Sequence, residues 1–153
     1  RRSSDLARTL CATFKRTNSK IMNFLKNLFS EKNPSEVEIL NSGLNFAMEF
    51  GQNWLQPIQE RLAKKFSFLS SLELDNYNAT CKSVMDNGQE FVYKILENLE
   101  ENNQTIKEKE LKQKFADFIL SEYNWIDKKN ISKLFSQICY YAYKDGLDSA
   151  IIS

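Results

Sequence analysis

Residues 110–146, ELKQKFADFILSEYNWIDKKNISKLFSQICYYAYKDG, decide the fold. Leu111, Phe115, Phe118, Ile119 and Ile126 recur at steps of 4, 3, 1 and 7, which at 3.6 residues per turn fall on one face of a helix. Just upstream, Thr105 followed three residues on by Glu108 predicts a capping box, in which each side chain satisfies a backbone N–H that has no intrahelical partner. Glu108 with Lys112 and Glu110 with Lys114 are spaced for i,i+4 ion pairs, each worth about 0.2–0.5 kcal/mol. A second face, Ile131, Leu134, Phe135, Ile138 and Ala142, begins near Asn130 and stops at Asp145 and Gly146, where glycine permits a left-handed turn. The polar link 127–130 is short enough to make the two helices an antiparallel αα-hairpin. Phe118 and Phe135 are expected to be buried where that hairpin meets the remaining helices.

The chain has 153 residues, 42% hydrophobic and 27% charged, the balance of one globular domain able to bury a core. Four glycines, two prolines and few β-branched residues disfavour a sheet with tight turns. The expectation is all-α: a single-domain bundle of about five to six helices ending in the hairpin. A formal charge of +1 offers no global attraction for nucleic acid or an acidic membrane. No apolar run approaches the ~20 residues of a spanning helix.

Histidine is absent, which removes the commonest metal ligand and the side chain best suited to proton transfer near neutrality. HExxH, Ser-His-Asp and Cys-His arrangements are therefore excluded, and neither a P-loop nor GxGxxG occurs. Cys11, Cys81 and Cys139 are scattered and odd in number, without a CxxC pair. They read as reduced thiols of a cytoplasmic protein with no metal and no cofactor.

Residues 1–21 differ from everything after them. They carry Arg1, Arg2, Arg8 and Arg16, four of the five arginines, with Lys15, Lys20 and a single acid, Asp5, so a net charge of +5 leaves −4 on residues 22–153. They read as a basic extension outside the fold, with Met22 opening the all-α domain 22–153; a nucleic-acid or lipid arm and an Arg- and Ser-rich targeting peptide are the competing readings. A short apolar stripe, Phe24, Leu25, Leu28 and Phe29, suits a docking helix. Asn33, Pro34 and Glu36 suit a helix start, with Asn33 as N-cap and Pro34 at the first helical position. Val37, Leu40, Leu44, Ala47, Gly51 and Trp54 then form a seam in which Ala47 and Gly51 admit a close partner, in a helix that Pro57 ends near Gln56. Ile58, Leu62, Phe66 and Leu69 are the buried edge of the next helix. Tyr77, Cys81, Val84, Gly88, Phe91, Ile95 and Leu99 keep one phase through Asp86-Asn87-Gly88, which predicts a continuous helix over residues 75–101 with Gly88 as a close-packing point or kink.

Two positions break the inside-outside pattern. Glu122 projects among Phe115, Phe118, Ile119 and Ile126, so it either leaves the helix end for water or forms a buried ion pair with Arg61 or Lys65. Tyr140 projects onto the polar face with Lys133, Gln137 and Lys144, the composition of a binding surface. The sequence favours a non-catalytic helical protein acting through a protein partner of unknown identity, as an adaptor, inhibitor or immunity-type protein, and leaves a homo-oligomer open. A bundle binding an apolar small ligand, suggested by eleven phenylalanines, is the alternative. A histidine-independent enzyme using Glu122, a tyrosine or Cys139 is the third reading.

Overall fold

A computed structural model of the chain describes residues 34–53 and 56–152. The expected boundary after residue 21 and the stripe at 24–29 lie outside the described residues, as does Trp54. Within the unit Ser35–Ser153 the fold is an all-α bundle of five α-helices: α1 (Glu36–Ala47), α2 (Gln59–Lys65), α3 (Ser71–Glu101), α4 (Glu108–Glu122) and α5 (Lys128–Lys144). Ile106–Lys107 (β1) and Ile151–Ile152 (β2) pair in parallel, Ile106 opposite Ile151, and fasten the end of the chain beside the α3–α4 connection.

The long helix α3 runs unbroken for 31 residues, roughly 46 Å at 1.5 Å per residue. Its start is a complete capping box: the Ser70 amide donates to Glu73 Oε2 at 2.7 Å, and the Glu73 amide donates to Ser70 Oγ at 3.4 Å. Its buried line is Cys81, Val84, Gly88, Val92 and Leu96. Four-residue steps overshoot the 3.6-residue turn by a constant angle, so the line drifts round the helix as α4 and α5 cross it. At Gly88 a β-carbon would lie 3.2 Å from Phe115 Cε2 and 3.3 Å from Ile138 Cδ1, so three helices meet where there is no side chain.

The hairpin forms as its periodicity predicts. Leu111, Phe115 and Ile119 of α4 are buried, with Ile131, Leu134, Phe135, Ile138 and Ala142 of α5. Ile126 lies past the end of α4 yet is also buried. Asp127 caps α5 by accepting from the Asn130 amide at 2.7 Å, and Gly146 takes a φ of +84° beyond its end.

Several local expectations are corrected. The N-cap of α1 is Ser35, whose hydroxyl accepts from the Glu38 amide, so the start falls two residues later than an Asn33 cap requires. Helix α1 ends at Ala47 instead of running to Gln56, and Gly51 sits exposed in a short 3-10 turn with a φ of +79°. The close approach expected at Ala47 and Gly51 occurs at Gly43, where a β-carbon would lie 3.1 Å from both Cys81 Sγ and Ile58 Cδ1. Val37, placed in the seam by its spacing, is half-exposed. Thr105 and Glu108 make no capping box: Lys107, held extended by the pairing with β2, is the N-cap of α4 and supplies no side-chain bond. Glu110 and Lys114 pair at 3.5 Å; Glu108 and Lys112 are not among the ion pairs of the described residues.

Phe135 is buried against Phe115 at 5.5 Å between ring centroids, whereas Phe118 is only partly buried, stacked on Phe91 at 4.2 Å. The expected burial of both rings therefore holds for one. Phe135→Ala should cost about 3–5 kcal/mol in urea unfolding, because it empties a closed site. Phe118→Ala should cost about 1–2 kcal/mol, the loss of a stacked partner on a half-open surface. Equal costs would contradict the difference in their surroundings.

Candidate functional site

The site grows out of the way α1 lies along α5. Their side chains meet in a ladder whose numbers rise together on both helices, so the two run parallel. At its base Asn130, 3% exposed, donates from Nδ2 to the Asn41 backbone oxygen at 2.9 Å and to Asn41 Oδ1 at 3.0 Å. Asn41 also donates to the Trp125 carbonyl at 2.8 Å and accepts from the Asp127 amide at 2.9 Å, which fixes the α4–α5 turn against α1. One rung up, Lys133 Nζ donates to Asn45 Oδ1 at 2.8 Å. On the next, Gln137 Nε2 donates to the Met48 carbonyl at 3.5 Å. There α1 has ended, and Phe50 takes the following rung, its ring perpendicular to that of Tyr140 with centroids 6.4 Å apart.

This ladder divides the four residues expected to share one polar face. Gln137 is 4% exposed and packed inside, with its Oε1 lacking a hydrogen-bond partner. Lys133 is partly covered, and burial holds its ammonium below the usual lysine range against the pull of Glu49. Both lie under the C-terminal half of α1, so a helical projection that sends polar residues outward misplaces them. Tyr140 and Lys144 lie beyond the end of α1 and stay open: Tyr140 is 48% exposed, and Lys144 Nζ stands 5.6 Å from the centre of its ring. The ring also meets Tyr141 edge-on at 5.3 Å, with Tyr143 exposed one turn along. Phe50, 58% exposed, is the member that spacing failed to reveal, because it belongs to the segment after α1.

The second candidate constellation does not assemble. Glu122 is the last residue of α4 and exposed, so its carboxylate reaches water where the helix runs out. Arg61 pairs instead with Glu49 at 2.7 Å and donates to the Phe46, Gln56 and Pro57 carbonyls, clamping the α1–α2 connection. Lys65 donates to Ser42 Oγ at 2.8 Å. Cys139, proposed as a nucleophile, is half-buried, and burial pushes its thiol up to about 11, the direction opposite to activation. Among the described residues no group of three Cys, Asp or Glu side chains is placed to hold a metal, and no helix is long and apolar enough to cross a membrane. Between α3 and α4 an open groove of about 590 Å³ is floored by Phe91, Ile95, Leu99 and Ile106, with Lys94 and Glu110 at its rim. It engages one phenylalanine, while Phe115, Phe118 and Phe135 pack against other rings.

Compared with known proteins, the chain matches no family model, no curated protein and no solved structure.

The buried thiols and Tyr93 set an alkaline limit on the fold. Burial pushes Cys81 up to about 12 and Cys139 to about 11 from 9.0, and burial with the Asp145 hydrogen bond pushes Tyr93 to about 12 from 10.0. All three folded-state values lie above the unfolded ones, so the folded chain holds these protons more tightly. Their contribution is fully present below pH 9 and is lost as pH rises towards 12. The urea midpoint measured in reductant should therefore be steady from pH 7 to 9 and fall by pH 11. Alkylation of Cys139 at pH 8 should be roughly tenfold or more slower than that of free cysteine. A rising midpoint, or fast alkylation of the folded chain, would contradict these assignments.

Proposed function

We propose that the protein acts without catalysis, by binding a protein partner through the exposed end of α5, where Tyr140 and Lys144 stand beside Phe50 and Tyr143. The observation that carries this reading is the grouping of large rings at one place: Phe50 is 58%, Tyr140 48% and Tyr143 64% exposed. Single exposed aromatics are ordinary on a protein surface, whereas a contiguous group of large rings is the make-up of an interface centre, with Lys144 suited to its polar rim. Tyrosine suits an anchor because it buries much area while losing only two side-chain torsions. Lys133 and Gln137 keep a part in this reading, as the rungs that hold α1 against α5 and thereby place Phe50 next to Tyr140. Neighbours also pre-orient the Tyr140 ring, with Phe50 on one side and Tyr141 on another, which lowers the entropy lost on binding.

Site-specific photo-crosslinking tests the reading. The 153-residue chain carrying a benzophenone amino acid at position 140 should crosslink to a discrete partner in an extract of its source organism. The same probe at Lys82, exposed on α3, should not. Tyr140→Ala should cost at most about 1 kcal/mol of stability while abolishing co-purification of the crosslinked partner. Equal crosslinking from both positions, or partner retention by a folded Tyr140→Ala protein, would remove the site.

A further inference from the structure

We infer that the segment docking on the α5 face is acidic: a short peptide stretch with two or more carboxylates flanking an aromatic or aliphatic anchor. This rests on the protein-binding reading above and adds the chemistry of the partner. Helix α5 contains Lys128, Lys129, Lys133 and Lys144 and no acidic residue in its 17 positions. Residues 22–153 carry a net charge of −4, so this helix is a local reversal of sign. The two aspartates flanking it are each hydrogen-bonded to a neutral donor and offset only half of its four lysines. Asp127 accepts from the Asn130 amide, and Asp145 accepts from the Tyr93 hydroxyl at 2.6 Å. None of the three ion pairs among the described residues includes a lysine of α5. Lys129 and Lys144 are exposed and share the outward face with Tyr140 and Tyr143, at helical offsets of 11, 14 and 15 from Lys129.

A face that carries exposed lysines and exposed rings, with Lys144 directly at the Tyr140 ring, is complementary to carboxylates around an apolar side chain, and like-signed partners are repelled from it. The same reversal favours a short peptide over nucleic acid. A polyanion longer than the face would extend over the negative remainder of the domain, whereas a peptide confined to α5 stays within about one Debye length, ~8–10 Å, of the lysines.

Display of a random 12-residue peptide library on the full chain, with counter-selection on Tyr140→Ala, tests this without knowledge of the natural partner. Tyr140-dependent peptides should be enriched in Asp and Glu and carry at least one aromatic or branched aliphatic residue. A synthetic peptide of the enriched sequence should bind about tenfold or more weakly to Tyr140→Ala, as for loss of an interface anchor. It should bind several-fold more weakly to Lys144→Glu and at raised salt. Because Lys144 is exposed, that variant keeps the test open if Tyr140→Ala is poorly folded. Tyr140-dependent peptides that are neutral or basic would overturn the acidic partner and leave the interaction face standing. Failure to enrich any Tyr140-dependent peptide would overturn both. Tighter binding of a 20-nucleotide single-stranded DNA than of any selected peptide would replace the peptide by nucleic acid.

Discussion

The bundle depends on one close approach, at Gly88 in the middle of α3. A glycine inside a helix costs about 1 kcal/mol relative to alanine, and here it stands at the centre of 31 helical residues. The cost is offset by what the missing side chain admits: Phe115 and Ile119 of α4 and Ile138 of α5 all lie within 3.5 Å of the vacant β-carbon position. A single axial position thus receives both arms of the hairpin. Gly43 repeats the device on the other side of the core, letting α1 close on Cys81 of α3 and Ile58 beside α2. Between these two points the interior is filled by interlocking aliphatic side chains and the Phe115–Phe135 pair, with the density that makes cores sensitive to single methylene groups.

The polar seam between α1 and α5 does different work. Hydrogen bonds to backbone carbonyls at Asn41, Trp125, Asn45 and Met48 specify where α1 lies along α5. Apolar contact alone would tolerate sliding, whereas buried amides are stable only in the register that satisfies them. That register is what brings Phe50 to Tyr140 and leaves the last turn of α5 open, so the candidate surface is set by a structural network that runs from Asn130 up to the adjoining turn at Gln137.

Most of the architecture was legible because it rests on helical periodicity. The unbroken phase through Asp86-Asn87-Gly88 identified the long helix despite turn-forming residues, and the two faces of residues 110–146 identified the hairpin. Local capping was less legible: Thr105 and Glu108 have the spacing of a capping box, but pairing of Ile106 with Ile151, 45 residues away, holds the preceding backbone extended. The end of α1 at Ala47 was hidden for a similar reason, since the apolar spacing continues through Gly51 after the backbone has left the helix. The site was half legible. Tyr140 stood out as an aromatic on a polar face, but Lys133 and Gln137 are covered by a helix about 89 residues earlier in the chain, a contact that no single-helix projection contains. Phe50 is exposed by tertiary placement alone and carries no local signal.

A double-mutant cycle at the three-helix contact tests the central claim directly. Gly88→Val places two methyl groups where Phe115 and Ile138 already stand, and should cost roughly 2–4 kcal/mol in urea unfolding through overpacking and lost helix propensity. Combining it with Ile138→Ala, which opens space at the same point, should cost less than the two single changes added together by about 1 kcal/mol or more. If Gly88→Val is tolerated within about 0.5 kcal/mol, or if the two substitutions add as independent sites do, the helices do not converge on Gly88.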